Sequence, residues 1–145
     1  MSEKQAKDRQ AIANLFDRWA TANRDKDIDA IMELYHPDIC SYDAAGPLQF
    51  TGATDYRAHW EKCLSQDSEM VIEIQTPNIR VSGHLGVAHF LIRCGMRAQD
   101  GSEQASWMRS STHLEKRDGQ WRIVHEHFSV PFDLENCQAQ FGLEP

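Results

Sequence analysis

What this chain lacks narrows its chemistry before any motif is weighed. Its four cysteines, Cys40, Cys63, Cys94 and Cys137, are widely spaced and form no C-x-x-C, so a zinc ribbon or a thioredoxin-type redox motif is not supported, and reduced thiols in a cytoplasm fit best. Lys and Arg number 15 against 22 Asp and Glu, for a formal charge of -7. They form no patch, which argues against a nucleic-acid groove or an anionic membrane surface. No apolar run approaches the roughly 18 residues of a membrane-spanning helix, and MSEKQAKDRQ at the start has no apolar core of the kind a signal peptide needs. Neither a G-x-G-x-x-G nor a P-loop occurs, and no cofactor is expected. No internal repeat, low-complexity stretch or linker interrupts the 145 residues. They fit one domain over 1–133 with a loosely attached tail over 134–145. A chain of this length buries roughly 68–70% of its unfolded surface, enough for a real core.

What is present begins with helices. Ile12, Leu15, Phe16, Trp19 and Ala22 repeat at helical spacing and predict an amphipathic helix from about residue 5 to 24, with Ser2 and Gln5 as its capping box. Asp27 caps a short second helix that buries Ile28, Ile31, Met32 and Tyr35, with Pro37 just past its end. Cys40 to Asp43 reads as a short strand and AAGP at 44–47 as a turn. A third helix spans about Ala53 to Leu64, with Tyr56, Trp60, Cys63 and Leu64 on one stripe. After Ser68 the pattern becomes sheet: Met70 to Val81, Val87 to Arg97, Gln104 to Lys116 and Trp121 to Val130, divided by SGH, QDG and DG turns. Helices first and an antiparallel meander afterwards is an α+β arrangement in which the helices cover one face of a curved sheet.

The last strand carries the most suggestive chemistry. In WRIVHEHFSVPFD, strict alternation sends Trp121, Ile123, His125, His127 and Ser129 to one face and Arg122, Val124, Glu126, Phe128 and Val130 to the other. The first face mixes apolar residues with two imidazoles, as a mostly apolar pocket wall does. A simple hairpin register around Arg117–Gln120 pairs Leu114 with Ile123, Thr112 with His125 and Ser110 with His127. Glu115, Arg122 and Glu126 then fall on the outer face, a polar surface suited to a homodimer contact through the sheet. Trp107 and Arg109 share the face of Phe128, and a bulge in the strand would reverse that assignment. The H-x-H pair would need a third ligand to hold a metal, and only Asp43 or His89 offers itself, so no metal is expected. Trp19, Tyr35, Trp60 and Trp121 are most simply core residues, and a pocket walled by them suits a flat hydrophobic molecule.

In their order and spacing, KDIDAIMELYHPDI, a strand ending in YD, then G-P, T-G, a third helix and four strands closing with DGQWRIVHEHFSVPFD resemble the nuclear transport factor 2-like superfamily, in its SnoaL-like and ketosteroid-isomerase-like branch. The resemblance covers about residues 8–133. It implies a cone: a strongly curved antiparallel sheet wrapped around three N-terminal helices, usually dimeric, with a deep pocket at the open end. Members include isomerases, dehydratases, polyketide cyclases and modules that bind or assemble without catalysis, so the fold alone does not settle the activity.

Carried over residue by residue, the resemblance to ketosteroid isomerase puts Asp43, in Ser41-Tyr42-Asp43-Ala44-Ala45-Gly46, on the base. It puts Trp19 where the family has its oxyanion-hole tyrosine and Thr112 where it has a protonated acid. Both replacements are weaker donors than the tyrosine and neutral acid of ketosteroid isomerase. Losing one oxyanion donor costs about 2.7–4 kcal/mol in a protease, so a full-strength steroid isomerase is not expected. His125, paired with Thr112 in the simple register, is the alternative donor. The expected site is thus Asp43 and His125 as catalytic groups, with Trp19, Tyr35, Trp60, Thr112 and His127 lining a pocket for a hydrophobic small molecule. The expected activity is a cofactor-independent isomerase, dehydratase or cyclase. The alternative is a non-catalytic binding or oligomerisation module, since the closing strand is also similar to that of the calmodulin-dependent kinase association domain.

Overall fold

Ser2 starts the first helix. Its Oγ accepts from Gln5 N at 3.1 Å while its own N–H donates to Gln5 Oε1 at 3.0 Å, which is the expected capping box. The computed structural model describes residues 1–145 as α1 (Glu3–Arg24), α2 (Ile28–Glu33), β1 (Tyr35–Tyr42), β2 (Phe50–Thr51), α3 (Ala53–Cys63), β3 (Glu69–Ile74), β4 (Asn78–Ser82), β5 (Leu85–Arg97), β6 (Glu103–Arg117) and β7 (Gln120–Ser129). One seven-stranded sheet runs β2-β1-β7-β6-β5-β3, with β4 also on β5. The β1–β7 pair is parallel and the others are antiparallel. Helix α1 lies against β3, β4 and β7, and α3 against β1 and β2. The architecture is the expected α+β cone, a curled sheet around three helices.

The apolar stripe of α1 fills that sheet. Ile12, Leu15, Phe16 and Trp19 are buried. Phe16 meets Phe90 edge-on at 4.9 Å, and Trp19 sits between Trp60 at 5.9 Å and Phe128 at 6.2 Å. Gly86 permits the close approach of helix to sheet, since a Cβ there would stand 2.7 Å from Ile12 Cδ1. A second tie is polar. Asp8 on α1 accepts from Lys116 Nζ at 2.8 Å and Trp121 Nε1 at 3.0 Å, binding the helix to the β6–β7 hairpin.

Three boundaries differ from the sequence pattern, each for a local reason. The stretch Met70 to Val81 is two strands, because Pro77 has no N–H to give the ladder. The pairing steps from Ile74↔Ile92 to Asn78↔His89 across that break. Strand β1 begins at Tyr35, so Pro37 lies inside it and Tyr35 leaves the second helix for the sheet. The C-terminal residues, expected as a loosely attached tail, carry local order of their own. Phe132 bridges Ala139, Asp133 N donates to Gln138 O at 2.8 Å, and Asp133 Oδ1 accepts from Glu135 N at 2.7 Å.

The difference that matters most is in β7. Asp118 and Gly119, both at positive φ, make the tight turn of the β6–β7 hairpin, and Leu114 pairs with Ile123 as expected. The register then slips: His113 pairs with His125, Thr112 with Glu126 and Ser110 with Phe128. Val124 is the extra residue of a β-bulge, and every side chain beyond it changes face. Trp121 and Ile123 still point inward, but Glu126 and Phe128 now follow them into the core. Thr112 therefore neighbours Glu126 instead of His125, and Glu126 is absent from the outer face assigned to it. Trp107 and Arg109, in turn, lie on the face opposite Phe128.

Candidate active site

Asp43 follows β1 directly, at the mouth of the cone. Its Oδ1 accepts from Ala45 N at 3.1 Å, the turn-capping role any Asp can play here. Its Oδ2 faces inward, 3.3 Å from Tyr56 Oη and 3.3 Å from His59 Nε2. Both partners come from α3, one turn apart, so one helical face delivers a phenol and an imidazole to one carboxylate. The side chains of Asp43 and His59 are 17% and 11% exposed, buried enough to be oriented and open enough to be reached. Phe50 packs on His59 at 4.4 Å, and Tyr56 stacks on it at 5.9 Å.

Behind Asp43 a polar chain runs into the core. Trp19 Nε1 donates to Tyr35 Oη at 2.8 Å, Tyr35 Oη donates to Glu126 Oε1 at 2.8 Å, and Tyr56 Oη lies 2.5 Å from the same oxygen. Glu126 is 2% exposed. Burial pushes its carboxyl from the usual 4.5 up to about 8, the two tyrosine hydroxyls oppose that rise, and Asp43 adds to it. Burial and then Glu126 raise both phenols well above their usual range, so they act as neutral donors. Cys63 Sγ lies 3.6 Å from His59 Nε2, but burial and Asp43 raise its pKa, which disfavours the thiolate a nucleophile requires.

In front of Asp43 opens a cleft of about 840 Å³. Its walls are Tyr42 and the Asp43–Gln49 loop, Met108, His127 to Ser129 at the end of β7 with Val130 after it, and Ala139 and Phe141 near the C-terminus. Nine of its fifteen lining residues are apolar and none is Lys or Arg, so it offers no cation to an anionic ligand. Away from the cleft lining, Asn23 Oδ1, Ser41 Oγ, Trp60 Nε1 and Ser110 Oγ are buried without a protein partner.

The residues singled out from sequence divide accordingly. Asp43, Trp19, Tyr35 and Trp60 belong to the interior cluster, and Thr112 is buried beside it, across from Glu126. Trp19 is committed to Tyr35, so its N–H is not the free donor that the family position implies. His125 does not join Asp43: the bulge turns it to the outer face, where it meets His113 at 5.1 Å and Tyr42 at 4.7 Å and its Nδ1 lies 2.7 Å from Cys40 O. His127 points the same way, against Tyr42 at 5.7 Å, and touches only the cleft's rim. No three His, Cys, Asp or Glu side chains converge as a metal shell would need. His59 lies outside the site expected from sequence, and Glu126 was expected on the outer face. The signal for His59 was available, since it stands between Tyr56 and Trp60 on the buried stripe of α3. Glu126 was hidden by the bulge.

A family model described as the SnoaL-like domain matches residues 12–133. The chain belongs to the SnoaL-like family, within the nuclear transport factor 2-like superfamily. Among solved structures, this SnoaL-like chain is 39% identical to an NTF2-like protein of unknown function from Pseudomonas putida KT2440, with a TM-score of 0.90 over 97% of this chain and 98% of that one. An NTF2-like protein of Streptomyces avermitilis, described as a candidate dehydratase, has a TM-score of 0.77 at 9% identity over 88% and 99% of the two chains. A candidate aromatic ring hydroxylase from Novosphingobium aromaticivorans has a TM-score of 0.77 at 16% identity over 92% and 98%. At such identities the likeness is one of fold. No curated protein matches the chain. No helix is long and apolar enough to cross a membrane.

Proposed function

We propose that this SnoaL-like protein is a cofactor-independent isomerase or lyase that moves a proton next to the carbonyl of a small, uncharged, hydrophobic molecule. The observation that carries the reading is the placement of Asp43: one carboxylate oxygen is fixed by Ala45 N, the other meets Tyr56 and His59, and the group sits in the wall of an apolar cleft. Asp43 is the base. His59, in contact with it, receives or returns the proton, a role that suits an imidazole near neutral pH. His125, expected from sequence to share this work, has no part in it. A cleft without Lys or Arg favours ketones and hydroxyketones over carboxylates and phosphates.

The test uses a panel of uncharged cyclic ketones, with NMR following solvent deuterium uptake at the carbon beside the carbonyl. Asp43→Asn lowers exchange about 10²–10⁴-fold while leaving probe affinity unchanged. Undiminished exchange in Asp43→Asn would remove the reading. Binding by the wild type with no exchange of any probe would instead favour a non-catalytic pocket.

A further inference from the structure

Tyr56 stands between two carboxylates with one hydrogen to give. Its Oη is 2.5 Å from Glu126 Oε1 and 3.3 Å from Asp43 Oδ2, and a phenol donates only once. The rest of the buried chain has a fixed direction. Trp19 Nε1 can only donate, so Tyr35 Oη accepts from it and gives its own hydrogen to Glu126 Oε1. Tyr56 alone has two destinations for its hydrogen. Asp43 opens on the cleft, whereas Glu126 is sealed behind it.

We propose that Glu126 is a positioning residue for Asp43, and that its protonation state sets which carboxylate receives the Tyr56 hydrogen. The proposal rests on the reading of Asp43 as base. When Glu126 carries a proton, that proton is donated to Tyr56 Oη, and Tyr56 donates to Asp43 Oδ2, orienting it toward the cleft. When Glu126 loses its proton to solvent, the Tyr56 hydrogen turns to the nearer Glu126 oxygen and Asp43 is released. Tyr56 stays neutral in both arrangements. A buried acid served only by hydroxyls keeps its proton into the neutral range, so the first arrangement is the resting one.

The surroundings contain nothing that would fix the hydrogen from elsewhere. Glu126 is faced by Tyr35 from β1, Tyr56 from α3, Asp43 beyond β1 and Thr112 from β6, with no Lys or Arg acting on it. Asp43 is faced by Tyr56, His59 and Cys63 from α3 and by Cys94 from β5. A glutamate retained only for packing would be replaced without consequence by its amide.

Side-chain carboxyl NMR across a pH titration reads the coupling without any substrate. In the wild type the Asp43 carboxyl carbon shows two steps, the upper one coinciding with the titration of Glu126. In Glu126→Gln the upper step is lost. In Tyr56→Phe Glu126 still titrates but at least half of the upper Asp43 step disappears. A single Asp43 step in the wild type, an upper step that survives in Glu126→Gln, or one undiminished in Tyr56→Phe overturns the proposal. Should Tyr56→Phe fail to fold, Glu126→Gln decides alone. Because no turnover is measured, failure here leaves the deuterium-exchange test of Asp43 standing, and failure there leaves the coupling intact.

Discussion

Two carboxylates are almost completely buried in this protein, Asp8 at 3% exposure and Glu126 at 2%, and they have opposite fates. Asp8 receives a hydrogen bond from the Lys116 ammonium and another from Trp121, and these hold its carboxyl below the usual range. Glu126, five residues further along the same strand as Trp121, receives only phenols, and its carboxyl rises to about 8. Both are shielded from solvent, but Glu126 lies deep in the core while Asp8 sits near the surface beside a partly exposed lysine, so depth and partner together decide the charge. A cation compensates the desolvation of an anion, whereas neutral hydroxyls leave much of it in place, and the proton stays on. The first arrangement fastens α1 to the β6–β7 hairpin. The second stores a proton directly behind the one carboxylate that opens on the cleft.

The sharpest test of this contrast is the slope of stability with pH. Glu126 binds its proton more tightly folded than unfolded. The folded state therefore holds more protons between the usual 4.5 and about 8, and this group makes stability fall as pH rises through that window. Denaturant unfolding of Glu126→Gln against wild type should show the variant gaining about 1.4 kcal/mol per pH unit across the window and levelling off above it. A flat difference would mean that Glu126 is ionised in the fold. Asp8 tilts stability the other way. Its folded pKa is depressed below 3.8, so its contribution is complete above that value and is lost as pH falls through the folded value. Asp8→Asn should cost about 1.5–3 kcal/mol at neutral pH by chemical denaturation, the worth of a hydrogen bond to a charged group, and should converge on wild type in acid. The smallest effect belongs to the outer face: His125→Ala should lose no more than about 0.5–1.5 kcal/mol, for its one hydrogen bond, with Cys40 O. It should leave ketone exchange unchanged, and a fall in exchange would return His125 to the catalytic group.

The helices were readable because each has its own local signature: the Ser2–Gln5 box, the Asp27 cap, and the stripe from Ile12 to Trp19. Asp43 was readable because it follows a strand and opens a turn, where its place in the family pattern is fixed by order alone. His125 misled because the alternation that assigned it to the pocket holds only while the strand has no extra residue. One bulge at Val124 exchanged the two faces, sending His125 and His127 outward and bringing Glu126 and Phe128 in. His59 went unremarked because, without knowing what faces α3, an imidazole on a buried stripe is as easily a packed core residue as a catalytic one.

Local order along the chain determined the α+β class, the three helices, the Asp118–Gly119 hairpin and the candidacy of Asp43, since caps, turns and periodicity act over a few neighbouring residues. Only the tertiary structure decided which groups stand beside Asp43. Its partners come from α3, one turn of helix apart, and the acid behind them from β7, 83 residues away along the chain, where a single inserted residue sets the direction of the side chain. Such a meeting depends on register and packing between distant segments. No short-range pattern carries that information.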